Sequence, residues 1–317
     1  MGKRDVETGI GGTFYHYTPP PPPIYPPPRE PYLSWLVPLI FVVDIALFVL
    51  TMYENNCPAT LVDDPDHQCL FREHLGRFSF EPLNKNPLLG PSTATLQRMG
   101  GLRLEMVIQD GEWWRLFSCL WLHAGAIHLI ANMISLLFMG IRVEEEFGFW
   151  RIGPLYVLSG LGGSLMSCLH VLHKQRVGIV SVGASGALFG LLGAMLSELI
   201  TNWTIYANKC SAITSLIVVI ALNLAVGLIP GVDNSAHIGG FVTGFLLGFV
   251  LLMRPQFGYV KSKYLPPGYK QKSRHKFYQY FFLLLALIAL IVLYAYGFIE
   301  LFKSMETRNQ NSFRLLE

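Results

Sequence analysis

Seven apolar runs, at 36–53, 117–140, 152–172, 184–200, 212–229, 236–253 and 278–298, constrain this 317-residue chain more than any other feature. A helix needs about 20 apolar residues to cross some 30 Å of hydrocarbon. Lipid supplies no hydrogen bonds, so each run must satisfy its backbone internally, as a helix. The charged fraction agrees: it is 14%, against about 25% in a soluble domain. The expected fold is an all-α polytopic membrane protein.

Charge sets the orientation. The link 254–277 carries Arg254, Lys261, Lys263, Lys270, Lys272, Arg274 and Lys276, which places it in the cytoplasm by the positive-inside rule. Counting back through alternating spans puts the N-terminus in the cytoplasm, and residues 54–115 and the tail 299–317 outside. The net charge of +3 gives no reason to expect a nucleic-acid partner. Residues 1–33 form a proline-rich leader, and ten of the 20 prolines fall within 19–38. It is expected to be disordered or extended as polyproline II. A proline-binding domain is a candidate partner there, although a spacer explains the composition equally. The first run follows this leader and reads as a signal anchor. Val6 stands where a myristoylation signal wants Ser or Thr, and the leader lacks the Arg-rich pattern of a mitochondrial presequence. A multi-pass protein of the secretory pathway, at the Golgi or plasma membrane, is the resulting expectation. Among five cysteines, Cys57 and Cys69 share the outside loop, where oxidising conditions permit a disulfide. Cys119, Cys168 and Cys210 lie in or beside spans and read as packing residues.

Three spans that enter from outside are short. The stretches 184–200 and 237–253 have 17 residues each, about 25 Å of helix, and Gly125 interrupts the second run so that 126–142 is equally short. Their N-termini should therefore sit below the outer surface and ring a pocket, since irregular backbone at that depth is tolerated only beside protein or a wet cavity. The side chains at those ends are chemically suggestive. His128 and Asn132 form an i,i+4 pair on one face, Ser185 opens the fourth span and His237 the sixth. A nucleophile, a base and two hydrogen-bond donors would then share one level. Taken singly, the serine reads as a small packing residue, each histidine as an interfacial one and Asn132 as interhelical glue. Four such residues at one depth argue for a site. Gly186, Gly190 and Ala194 recur every four residues, as do Gly240, Gly244 and Gly248; such faces let two helices pack backbone to backbone.

These residues resemble the rhomboid intramembrane serine proteases, specifically the eukaryotic secretase-type members with six core helices and a seventh at the C-terminus. The resemblance is carried by Trp114-Arg115, His123, His128…Asn132, Gly140-Ile141-Arg142-Val143-Glu144…Gly148, Gly183-Ala184-Ser185-Gly186 and Ala236-His237-Ile238-Gly239-Gly240…Gly244. It covers about residues 105–250, within a core of 34–253 followed by the linker and the span 278–298. It implies a dyad of Ser185 and His237 without an acid. It also implies an oxyanion hole from His128, Asn132 and the Ser185 amide, a loop brace at Trp114-Arg115 and a structural anchor at Glu144 near the turn between the second and third spans. The implied substrates are single-span membrane proteins, cut near the outer face without metal or organic cofactor. The lipid bilayer is the other partner.

The rival reading is a proteolytically silent relative that binds membrane clients for trafficking or degradation. A transporter would want paired buried charges, and only Asp44, in mid-span, offers one. Asp233, four residues before His237, could mimic a triad acid, but reads more simply as a solvated loop residue beside Asn234 and Ser235 as capping candidates. His170 and His173 are expected to flank a loop. The Asn202-Trp203-Thr204 sequon is expected to face the cytoplasm and stay unglycosylated.

Overall fold

The computed structural model describes residues 6–7, 14–15, 32–62, 68–174, 178–203, 208–227, 233–255 and 275–314. It divides into two units, residues 1–32 and 33–317. In the first, β1 (Val6–Glu7) pairs antiparallel with β2 (Phe14–Tyr15). Val6, Phe14 and Tyr15 are residue types that favour strands. The proline stretch 19–28 and most of the basic linker lie outside the described residues.

The second unit is all helical, apart from two isolated bridges. The first span is α1 (Leu36–Asn55). The segment between the first and second spans follows with short helices α2 (Arg72–Leu75), α3 (Thr93–Arg98), α4 (Leu104–Ile108) and α5 (Arg115–Ser118). The second span is compound: α6 (Ala126–Ser135), a π-helical turn Leu136–Gly140 and α7 (Ile141–Phe147). Then come α8 (Phe149–Lys174), α9 (Ser185–Thr201), α10 (Lys209–Gly227), α11 (Asn234–Leu251) and α12 (Phe277–Arg314). Among the described residues, five helices are long and apolar enough to cross a membrane, while α9 and the Lys209–Ala221 part of α10 are shorter apolar helices. The chain is a polytopic helical membrane protein.

As expected from the break at Gly125, the helix of the second span starts at Ala126, and a Cβ on Gly125 would fall on the Leu88 carbonyl. One run differs from its expected extent: the last helix continues through 299–314, which the apolar pattern assigns to a tail. Glu300, Lys303, Met305 and Glu306 are good helix formers with no Pro or Gly among them, and Phe302 stacks on Trp113 at 4.7 Å.

At the centre, α11 lies against α9 and α8. A Cβ on Gly240 would fall on the Gly186 carbonyl, and one on Gly244 on the Gly190 carbonyl and Cα. Only glycine permits that approach, and it sets the α9–α11 distance on which the site depends. Pro38 falls in the first turn of α1, where its missing N–H costs nothing. The next amides of that turn are held from far away. Glu144, fully buried, accepts the N–H groups of Trp35 (3.0 Å), Leu36 (2.9 Å) and Val37 (2.8 Å). From its place near the turn between the second and third spans, Glu144 thus reaches the start of the first span; a carboxylate at a helix N-terminus satisfies orphan donors and complements the dipole.

Candidate active site

The ends of α6, α9 and α11 converge on one cavity of about 250 Å³, lined by His128, Asn132, Ser185 and His237 among others. Ser185 is the first residue of α9, so its N–H has no intrahelical acceptor. The chain reaches it through Gly183, whose φ of 133° disfavours other residues and whose missing side chain leaves room for the His128 ring. The Gly183 N–H donates to the Cys119 carbonyl at 2.9 Å, and Leu102 and Ser181 exchange both backbone hydrogen bonds at 2.9 Å. The segment between the first and second spans thus holds the approach to Ser185.

Ser185 Oγ lies 2.9 Å from His237 Nε2. The imidazole is stacked on Phe189, with centroids 4.4 Å apart and planes inclined by 18°. Its Nδ1 is buried with no hydrogen-bond partner among the described residues. Asp233 is engaged elsewhere: Oδ1 accepts from the N–H groups of Ser235 (3.1 Å) and Ala236 (3.2 Å), and Oδ2 accepts from the Ser167 hydroxyl. It is the N-cap of α11, so the expectation of a solvated residue next to capping Asn234 or Ser235 is corrected. The arrangement is a serine–histidine pair without a third acid.

Two donors face the same cavity. The Ala124 N–H donates to His128 Nδ1 at 3.4 Å, which leaves the Nε2 proton free to point elsewhere. Asn132 Nδ2 is buried and unpartnered. With the Ser185 amide, these three supply the preorganised donors that a developing oxyanion requires. Buried donors are costly to leave unmatched, so an unpartnered amide here is a group held ready for a ligand.

The remaining expected residues fall as follows. Arg115 is buried; Nη1 donates to the carbonyls of Gln97 (2.6 Å) and Gly101 (2.9 Å), Nε pairs with Glu112, and the guanidinium lies over the Trp114 ring. Arg115 thereby ties α5 to the Gln97–Gly101 segment. Cys57 and Cys69 are joined by a disulfide. Cys119 and Cys168 are buried, but Cys210 is exposed on α10, unlike the packing residue expected. His170 and His173 belong to the last turns of α8, beside the connection that follows it, as expected. Asp44 is fully buried, and neither carboxylate oxygen has a partner among the described residues.

Sequence reasoning missed Phe189, Ser135, Asn223 and the polar cluster around Asn202. Phe189 follows Ser185 by four residues, a spacing that could have placed it on the same face. Asn223 accepts from the Ser135 hydroxyl at 3.4 Å, a contact between α6 and α10 on the cavity wall. Asn202 is 1% exposed; it donates to Glu198 (3.0 Å) and to the Leu252 carbonyl (3.0 Å) and accepts from the Arg254 N–H (3.1 Å). Its side chain is fully engaged, whichever compartment the sequon faces.

A helical membrane bundle with a serine–histidine pair where three helices begin defines a class: polytopic membrane proteins with a hydrogen-bonded serine and histidine between their helices. Comparison with known proteins narrows the class. The rhomboid domain family matches residues 110–254. RHOMBOID-like protein 5 of Arabidopsis thaliana is 55% identical over 276 residues, 86% of each chain. This chain belongs to the rhomboid family. Rhomboid protease GluP of Bacillus subtilis is 36% identical over 152 residues, 48% of this chain and 28% of its own. A relative named inactive RHOMBOID-like protein 8, from Arabidopsis thaliana, is 43% identical over 239 residues, 75% of this chain and 64% of its own. Family membership therefore leaves activity to be argued from the site.

Proposed function

We propose that this chain is an intramembrane serine endopeptidase that cuts single-span membrane proteins in or near the outer leaflet. The observation that carries this reading is Ser185 Oγ at 2.9 Å from His237 Nε2, beside the unpartnered amide of Asn132. A nucleophile and base within hydrogen-bond reach of each other and of oxyanion donors are the requirements for acyl transfer.

His237 Nε2 takes the Ser185 proton as Oγ attacks the scissile carbonyl carbon. The carbonyl oxygen becomes an oxyanion held by His128 Nε2–H, Asn132 Nδ2–H and the Ser185 N–H. The C–N bond then breaks, and His237 returns its proton to the departing amine. Water, deprotonated by His237, attacks the resulting ester, and Ser185 recovers its proton as the new carboxyl product leaves. A substrate helix pairs its own carbonyls, so it must unwind locally before attack, and small or helix-breaking residues at the cut lower that cost.

The basic linker supports an orientation with this cavity toward the outer face and the N-terminus in the cytoplasm; a secretory-pathway membrane, Golgi or plasma membrane, fits that orientation. The relative named inactive favours keeping a second reading, a silent protein that binds membrane clients. Purified protein, tested on a fluorogenic transmembrane substrate, separates the two. Cleavage is expected from the parent and none from Ser185→Ala or His237→Ala at equal expression. Equal residual cleavage in Ser185→Ala would overturn the serine mechanism, and no cleavage by the parent would favour the silent reading.

A further inference from the structure

The segment between the first and second spans carries an apolar surface that neither the core nor the proposed chemistry uses. Phe71, Leu75 and Phe78 recur at i, i+4 and i+7, and they are 59%, 39% and 40% exposed. Between them stand Arg72, Glu73, His74 and Arg77, all exposed as well, so the stretch is amphipathic. Its base is closed. Leu70 and Phe80 exchange both backbone hydrogen bonds, at 2.9 and 3.3 Å, and the Cys57–Cys69 disulfide ties that base to the chain just past α1. Phe71 has a φ of 60°. A bulky residue in the left-handed region is strained, and such strain persists where the surroundings hold the residue in place. The Phe71 ring meets Phe80 edge-on at 6.3 Å, yet most of its surface stays uncovered.

What covers this surface follows from its depth. The first span, α1, has 20 residues, about 30 Å of helix, which is the thickness of the hydrocarbon layer. Tyr53, in its last turn, is therefore level with the boundary between acyl chains and headgroups, where aromatic residues concentrate. Val42, Val49 and Tyr53 are exposed at helical spacing along α1, a stripe of a membrane span that lipid covers. The amphipathic stretch joins that stripe at its end. Phe78 lies 6.1 Å from the Tyr53 ring, Arg77 Nε donates to the Tyr53 carbonyl at 2.8 Å, and the Arg77 guanidinium lies over the same ring at 3.7 Å.

We propose that residues 71–78 are an interfacial foot whose partner is the lipid surface at the C-terminal end of α1. Phe71, Leu75 and Phe78 insert beside the end of the α1 stripe, while Arg72, Glu73, His74 and Arg77 stay at the level of the headgroups. An amphipathic stretch placed in this way lies in the plane of the membrane with its apolar side in the headgroup–acyl boundary. The inference holds whichever compartment that end of α1 faces, and it is independent of proteolysis. It bears on the site through the chain that follows the foot. The carbonyls of Leu88 and Leu89 accept the N–H groups of Ile127 (3.2 Å) and Ala126 (2.8 Å), the first residues of the helix that carries His128 and Asn132. The start of α6 is thus held by a stretch whose other end is anchored in lipid.

Full-length protein carrying Cys210→Ser, which removes the exposed free thiol, is prepared without reductant so that the disulfide persists. Phe71→Cys, Leu75→Cys, Phe78→Cys and Glu73→Cys are added one at a time, labelled with a nitroxide and reconstituted in phosphatidylcholine nanodiscs. Collision of each label with oxygen, which concentrates in lipid, and with a water-soluble nickel chelate gives its depth by electron paramagnetic resonance. Labels at 71, 75 and 78 are expected about 5–10 Å into the headgroup–acyl boundary, and the label at 73 on its aqueous side. Leu75→Cys keeps both phenylalanines, so it decides the outcome if gel filtration shows either aromatic variant to be misfolded. Chelate access at 71, 75 and 78 equal to that at 73 would overturn the proposal. So would labels at those three positions shielded from both reagents, since that is burial against protein, whether a second copy or another partner.

Discussion

The stacking of His237 on Phe189 predicts a catalytic effect with a defined size and kinetic signature. When His237 takes the Ser185 proton, a full charge appears on a buried ring with no carboxylate hydrogen-bonded to it among the described residues, because Nδ1 is unpartnered and Asp233 caps α11. What that ring does meet is the π-face of Phe189, at 4.4 Å and 18°. An aromatic pair is worth about 0.5–1.5 kcal/mol beyond its buried area, and a desolvated cation over a ring about 2 kcal/mol. The neutral ring before proton transfer keeps the first contribution but not the second, so replacing the aromatic face should raise the barrier by about 1–2 kcal/mol, a loss of roughly 5- to 30-fold in kcat. Phe189→Leu keeps apolar bulk and removes the face. Steady-state cleavage of a fluorogenic transmembrane substrate should show kcat falling by that factor with KM nearly constant, and Phe189→Tyr should restore most of the rate. A kcat within twofold of the parent, or a loss carried entirely by KM, would refute the reasoning and make Phe189 a wall of the substrate cavity.

Three further outcomes can be checked. Asn132→Ala removes one of three oxyanion donors and should lower kcat by about 10²- to 10³-fold; a loss below tenfold in the same assay would remove it from that role. Asp233→Asn keeps an oxygen for the Ser235 and Ala236 amides and should leave kcat nearly unchanged; a collapse like that of His237→Ala would restore a three-residue reading. Glu144→Ala strips the acceptor from three amides of α1 and should cost about 3–5 kcal/mol, seen as a large drop in the unfolding temperature in detergent. An unchanged unfolding temperature would show that α1 is held by its apolar packing alone.

What the sequence determined by itself was everything encoded within a few residues of chain. The places of the long helices follow from the apolar runs. The starts of α6, α9 and α11 follow from where glycines and short runs fall, and Ser185, His237, His128 and Asn132 could be singled out because polar residues at the ends of apolar runs stand against an apolar background. The close approach of α9 and α11 was legible as small residues every fourth position, since a helix keeps such residues on one face. Tertiary structure decided whatever joins distant segments. Glu144 caps a helix that lies more than a hundred residues earlier. Asp233 bonds Ser167 across to α8, Asn202 meets Leu252 and Arg254, and Phe302 finds Trp113 only once α12 runs past its apolar segment. A single polar residue announces that it needs a partner, because burying it alone is costly. Which partner it finds depends on the relative rotation and depth of whole helices, and those are set by packing, which local sequence does not carry.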